Sequence, residues 1–212
     1  MQSDSKSANS GAYVNTLAEL ESIYGTPVKA SLIKELDHIS GDYQQMIEKS
    51  PFAIIATVGE GGLDCSPRGD PPGFVRVADS KTLLIPDRRG NNRLDTLKNL
   101  IEDPRASLIF LIPGVGETLR VNGSARISTD ASLRESFTIN GKVPATVIEF
   151  SVERVYFQCQ KALARSRLWE SDAQIDRSDL PSIGSILQAL QSDFDGKQYD
   201  NDYPERLKKT IY

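Results

Sequence analysis

Histidine is nearly absent from this chain: one residue, His38, in 212. That alone excludes a multi-histidine metal site. It also leaves a Ser-His-Asp hydrolase viable only with His38 as base, and no nucleophile elbow accompanies it. His38 falls beside Asp37 in a stretch with helical spacing, and its simplest reading is a surface helix residue. Cysteine is almost as scarce. Cys65 and Cys159 are the only two, they form no CxxC pair, and a zinc ribbon or thioredoxin-type motif is excluded. Each falls in or at the edge of an expected strand; a Cys65–Cys159 disulfide is possible on paper, but in the reducing cytosol expected for this chain free thiols are the expectation. No apolar run approaches the ~20 residues that span a bilayer. Residues 1–10 are polar, without the apolar core of a secretory signal. A cytoplasmic protein without a membrane partner is the expectation. A basic excess is missing too: the formal net charge is −4, which argues against nucleic acid as the main partner.

What is present suits a folded core, with 39% hydrophobic and 25% charged residues. Residues 1–14 read as a flexible lead. Leu17, Leu20, Glu21 and Tyr24 recur at helical spacing up to Gly25, giving a helix over 15–24. A second helix follows Pro27, with Ile33, Leu36 and Ile39 on one side. Asp42 can cap a third that ends before Ser50-Pro51. The β region then begins. Phe52 to Val58 and Ala106 to Ile112 are continuous apolar runs, as for strands buried on both faces. Leu63 to Ser66, Val75 to Ala78, Leu83 to Ile85, Thr118 to Ser128 and Val143 to Gln160 supply further β stretches. Asn122-Gly123 reads locally as a tight hairpin and Asn140-Gly141 as a turn. A single internal helix lies before Asp103-Pro104, capped by Asn91 or Asn92, with Leu94, Leu97, Leu100 and Ile101 as its buried stripe. About six strands joined mostly by short turns favour an antiparallel barrel with added helices. Ile183, Ile186, Leu187 and Leu190 form the stripe of a helix in the tail, Asp193 to Asp202 is acidic and turn-rich, and Tyr203 to Tyr212 reads as a last short helix.

Chemistry concentrates between Ser66 and Arg93. Four arginines, Arg68, Arg88, Arg89 and Arg93, flank a short β run, and the last leads into the amphipathic helix. Guanidinium forks beside a helix N-terminus suit a phosphate. The same spacing also fits solvated arginines paired with the chain's many carboxylates. The glycines of Pro113-Gly114-Val115-Gly116 make no dinucleotide fingerprint, since a third glycine and a following helix are missing.

Three longer motifs carry a family resemblance. Ser66-Pro67-Arg68-Gly69-Asp70-Pro71-Pro72-Gly73, Ile85-Pro86-Asp87-Arg88-Arg89-Gly90-Asn91-Asn92-Arg93 and Glu117-Thr118-Leu119-Arg120-Val121-Asn122-Gly123 resemble the pyridoxamine 5′-phosphate oxidase-like, FMN-binding split-barrel superfamily. Within it they resemble the subgroup of probable FMN-dependent proteins, as do Cys159-Gln160-Lys161-Ala162 and Arg165-Ser166-Arg167-Leu168-Trp169. The resemblance spans roughly residues 15–195. It implies a mainly β protein with flanking helices: a six-stranded antiparallel split barrel over 51–170, N-terminal helices over 15–50 packing on it, and a helical tail over 171–212. It further implies a homodimer with FMN at the interface. Arg68, with Asp70 bracing it, and Asn91, Asn92 and Arg93 would hold the phosphate and ribityl chain. Ile85, Pro86 and Asp87 would lie along the flavin. Arg120, Lys161, Arg165, Ser166 and Trp169 would reach it from the partner subunit, with Trp169 more an anchor than a stacking residue. Arg89 fits a solvated arginine as well as a ligand contact, so Arg93→Ala is expected to weaken FMN binding more than Arg89→Ala. Because the family runs one strand through Asn122-Gly123, the resemblance replaces the hairpin by a bulge or a close backbone approach.

The implied function is an FMN-dependent oxidoreductase acting on an unknown small molecule, with no catalytic acid or base assigned and no metal. The Arg-x-His pair that true pyridoxamine phosphate oxidases carry near the C-terminus is missing, which separates this chain from vitamin B6 oxidation. A non-catalytic flavin-binding or storage protein, or a split barrel using F420 or haem, are the alternatives; haem lacks a well-placed histidine.

Overall fold

The computed structural model describes residues 13–212, so the flexible lead expected over 1–14 lies outside the described residues except for Tyr13 and Val14. The chain divides into two units, one up to Lys34 and one from Glu35 to Tyr212. In the first, α1 (Leu17–Tyr24) starts at a capping box: Thr16 Oγ1 accepts from the Glu19 amide at 3.2 Å, and the Glu19 carboxylate accepts from the Thr16 amide. Gly25, at φ +71°, ends it. A short α2 (Lys29–Ile33) follows, and neither helix has a buried residue.

The second helix stops earlier than its spacing predicts. Leu36 is taken by β-type pairing instead, its amide donating to the Val155 carbonyl at 3.0 Å and its carbonyl accepting from the Val155 amide at 2.8 Å. A backbone engaged on both sides by a strand cannot also close helical bonds, so His38 sits in a bend rather than a helix. Ser40, not Asp42, caps α3 (Gly41–Lys49), accepting from the Tyr43 amide. Tyr43 and Ile47, four residues apart, are buried on one face.

The strands are β1 (Phe52–Gly59), β2 (Gly62–Gly69), β3 (Arg76–Asp79) and β4 (Thr82–Asp87), then α4 (Asp95–Glu102), β5 (Arg105–Leu111) and β6 (Thr118–Ser128). After α5 (Ala131–Glu135), β7 (Thr146–Gln158) completes one sheet, in the order β2-β1-β5-β6-β7-β4-β3, antiparallel throughout. The expectation of a six-stranded split barrel is therefore corrected to seven strands in a single open sheet. No ladder joins its end strands: β3 is four residues long, and β2 carries Pro67, which lacks an amide donor, and runs into Asp70-Pro71-Pro72. The sheet nonetheless curls far enough for β2 to approach the end of β4, since Arg68 of β2 lies within ion-pair range of Asp87 on β4.

The two apolar runs are not buried on both faces. Along β1 and β5 buried residues alternate with half-buried ones: Ala53, Ile55, Ala106, Leu108 and Phe110 face the core, while Ile54, Ile109 and Leu111 lie on the other face. Leu119 and Val121 of β6 and Ile148 and Phe150 of β7 complete the core with Ile47 of α3. Strand β6 runs unbroken through Asn122-Gly123, as the resemblance implies and the local hairpin rule does not. Its register against β7 shifts there, Asn122 facing Arg154 and Gly123 facing Val152, which leaves Glu153 as the extra residue. A Cβ on Gly123 would sit 1.9 Å from the Ser151 carbonyl oxygen, so the approach itself requires glycine. At Asn140-Gly141 the expected turn forms, with φ +50° and +71° and an Ile139–Lys142 bridge.

Helix α6 (Lys161–Ser166) follows β7, and α7 (Ile183–Leu190) and α8 (Gly196–Thr210) pack against each other. The tail differs from its periodicity in two ways. Ile183, Ile186 and Leu190 are exposed, because α7 meets α8 through Gly184, where a Cβ would lie 1.9 Å from the Gly196 carbonyl. The acidic stretch forms the first turns of α8, opened by Asp195, whose carboxylate accepts from the Gln198 amide at 2.9 Å. Among the described residues no helix is long and apolar enough to cross a membrane. Cys65 and Cys159 are both free and exposed.

Candidate functional site

Where the ends of the sheet converge, they leave a cavity of about 930 Å³, within the range of small-molecule and cofactor sites. Its walls are the end of β2 (Ser66 to Asp70), the end of β4 with the following loop to the first turn of α4 (Pro86 to Leu97), the segment Lys142 to Thr146, and Ile211 and Tyr212. Five cationic side chains, Arg68, Arg88, Arg89, Arg93 and Lys142, line it against three carboxylates, Asp70, Asp87 and Asp95.

Arg68 stands in β2 opposite Ala53, on the core-facing side of the strand. Its Nη1 donates to its neighbour's carbonyl, that of Pro67, at 2.9 Å, and its Nη2 lies 3.6 Å from Asp87 Oδ1. That separation is an ion pair without a hydrogen bond. Arg68 Nε is buried and makes no hydrogen bond to the protein, and neither does Thr146 Oγ1, which faces Asp87 across the β4–β7 ladder. Buried donors are normally satisfied, and both residues line the cavity, so an unpartnered guanidinium nitrogen and hydroxyl there fit a ligand acceptor. Burial pushes the Asp87 carboxyl above its usual range, and the Arg68 charge works against that shift.

Asp70 does not brace Arg68. Its carboxylate, 1% exposed, accepts from Arg88 Nε at 2.7 Å through Oδ2 and from Tyr212 Oη at 2.7 Å through Oδ1. Arg88 Nη1 in turn donates to the Phe137 carbonyl at 2.7 Å. The partner expected of Asp70 goes instead to Asp87, which faces Arg68, while Asp70 holds Arg88.

The loop before α4 is not a side-chain cap. Asn91 Oδ1 folds back on the Arg93 amide at 3.0 Å, Asn92 adopts φ +60°, and the N-cap position of α4 falls to Leu94, itself left-handed at φ +62°. With Leu94 in that conformation the expected stripe rotates. Thr96, Asn99 and Leu100 are buried, whereas Leu94 and Ile101 are exposed. Arg93 lines the cavity with its side chain 74% exposed, paired with Asp95 at 2.8 Å.

Arg68, Asp70, Pro86, Asp87, Asn91, Asn92 and Arg93 therefore share one cavity, as their motifs suggest. Ile85 lies behind it, 1% exposed in the core. The remaining candidates lie elsewhere on the chain. Arg120, on the sheet face opposite the core, donates to Tyr156 Oη at 3.1 Å. Lys161, Arg165 and Ser166 are exposed on α6, and Trp169 Nε1 is anchored to the Val115 carbonyl at 2.8 Å. Arg88, Lys142, Thr146 and Tyr212 join the cavity beyond the sequence candidates. Only Arg88 carried a signal, as one of the four clustered arginines. No His/Cys/Asp/Glu cluster suited to a metal occurs among the described residues.

The pyridoxamine 5′-phosphate oxidase family model matches residues 39–159, more than half of the chain and all of the sheet. Among solved structures, HupZ from Group A Streptococcus is similar at 22% identity and TM-score 0.45, over 55% of this chain and 91% of that one. A protein from Clostridium acetobutylicum related to general stress protein 26, of the pyridoxinephosphate oxidase family, is similar at 16% identity and TM-score 0.44, over 56% and 86%. An FMN-binding protein from Syntrophomonas wolfei is similar at 13% identity and TM-score 0.40, over 53% and 86%. No curated protein matches the chain.

Proposed function

The chain belongs to the pyridoxamine 5′-phosphate oxidase family, and from that premise we propose that it binds FMN in the cavity between β2 and β4 and acts as an oxidoreductase on a small molecule. The observation that carries this reading is the unspent donor set: Arg68 Nε and Thr146 Oγ1 are buried on the cavity without a protein partner. A phosphate or an oxygen-rich ribityl chain supplies the acceptors they lack. Arg93 and Asn92 present further donors at the same wall, and the excess of cations over carboxylates favours an anion. When bound, the isoalloxazine supplies the hydride chemistry, and the protein supplies binding, orientation and electrostatics. Asp87, on the same wall, is the carboxyl that burial pushes above its usual range, with the Arg68 charge working against that shift.

A homodimer with the flavin at its interface is the second part of the proposal. The sheet face opposite the core supports it: Ile54, Ile109 and Leu111 are half-buried there beside Arg120 and Asn122. A face of that composition gains by covering against a second copy.

The test is the absorption spectrum of the purified protein, with mass spectrometry of what denaturation releases, followed by FMN titration of Arg68→Ala. Flavin bands, released FMN and at least a tenfold loss in the variant, about the value of one charge-assisted hydrogen bond, are expected. A colourless protein that takes up no added FMN refutes the reading. Tight FMN that no donor or substrate reduces favours the non-catalytic carrier instead.

A further inference from the structure

We propose that Tyr212 and Asp70 are a positioning pair that keeps one edge of the Arg88 guanidinium turned to the cavity as an anion donor. The proposal rests on the FMN reading and assigns part of the phosphate grip to residues that reading does not use.

Arg88 is fixed at two points, Nε to Asp70 Oδ2 and Nη1 to the Phe137 carbonyl, both at 2.7 Å. Its Nη2 makes no hydrogen bond among the described residues, and Arg88 lines the cavity. In a guanidinium, Nε–H and the nearer Nη2–H point the same way, so a free carboxylate takes both in a side-on fork. Asp70 takes only Nε. Its other oxygen, Oδ1, accepts from Tyr212 Oη at 2.7 Å, and the Arg88 guanidinium carbon lies 5.7 Å from the Tyr212 ring centroid.

With Oδ1 turned to the tyrosine hydroxyl, Asp70 leaves Nη2 unbound. What remains is a donor already oriented and already desolvated on its other sides, which loses little freedom when an anion arrives. Donation to the carboxylate also holds the Tyr212 phenol above its usual pKa, which keeps the proton on the oxygen that donates it. Arg93 contrasts with this arrangement: its side chain is largely exposed and its Nε is spent on Asp95.

Tyr212→Phe removes the hydroxyl and keeps the ring. FMN and riboflavin differ only in the phosphate, so titrating both flavins into wild type, Tyr212→Phe, Arg88→Lys and the double variant localises any effect. Arg88→Lys retains the charge opposite Asp70 but has no second donor edge. The expected result is about a tenfold weaker FMN affinity in Tyr212→Phe, the loss of one charge-assisted hydrogen bond, with riboflavin affinity and melting temperature unchanged. In the Arg88→Lys background the Tyr212→Phe effect should vanish. Equal weakening of both flavins, full additivity in the double variant, or unchanged FMN affinity overturns the proposal while leaving the FMN reading standing. Failure of the wild type to bind FMN overturns both.

Discussion

Removing the Asp70 carboxylate should be the most damaging single change in the cavity wall. Its side chain is 1% exposed and that of its partner Arg88 is 15% exposed, 2.7 Å away. Deleting one member of a buried pair leaves the other charge desolvated without compensation, which costs about 3–5 kcal/mol. The low end applies here, because Arg88 keeps its bond to the Phe137 carbonyl and some contact with water, although Tyr212 also loses the acceptor of its hydroxyl. About 3 kcal/mol in a domain of this size lowers the melting temperature by roughly 6–12 °C. Asp95→Asn is the matched control. It breaks an ion pair of nearly the same length, 2.8 Å, whose arginine is 74% exposed, and such surface pairs contribute ~0–1 kcal/mol. Calorimetry or urea unfolding of the two variants beside wild type measures the contrast. If Asp70→Ala melts within about 2 °C of wild type, or no lower than Asp95→Asn, the buried-pair argument is wrong.

Gly123→Ala should cost about 3 kcal/mol or more, since its methyl meets the Ser151 carbonyl, a backbone atom that cannot swing aside; an unaltered melting temperature would refute the close approach. The Asp37 carboxyl is held down to about 2 by hydrogen bonds from His38 first and Lys81 second. Its contribution is therefore present above the ordinary value of 3.8 and lost as pH falls toward 2. A carboxyl NMR titration should show this midpoint, and His38→Ala should raise it more than Lys81→Ala; a wild-type midpoint at 3.8 would contradict the geometry. Ile109→Glu, at the middle of the half-buried sheet face, should give a folded monomer in sedimentation. A wild type that is already monomeric in the presence of FMN would end the dimer proposal. Added FMN should also raise the melting temperature of the wild-type protein by mass action.

Local rules read best where a single feature of the chain decides the outcome. The strands from Phe52 onward, the stop at Asp103-Pro104 and the turn at Asn140-Gly141 follow from apolar runs, a proline and a positive-φ pair. They failed where a partner from far along the chain intervenes. Asn122-Gly123 has the composition of a hairpin, yet Arg105 to Phe110 on one side and β7 on the other hold it extended. Leu36 has helical spacing, yet Val155 captures its backbone. The cap expected at Asn91 or Asn92 failed for a local reason instead, since Asn91 spends its oxygen on the Arg93 amide of its own loop.

The sequence by itself grouped Arg68, Asp70, Asp87, Asn91, Asn92 and Arg93 through two motifs and their family resemblance, and these residues do line one cavity. It also determined an antiparallel β protein, through the number of short strands and the turns between them. The tertiary structure alone decided that the sheet has seven strands and stays open, that Asp70 pairs with Arg88 and Asp87 with Arg68, and that Thr146 and Tyr212 complete the cavity. Those outcomes depend on how far a twisted sheet curls and on which side chains its ends bring within 3–4 Å. No local pattern encodes that distance, since the residues concerned are up to 142 positions apart.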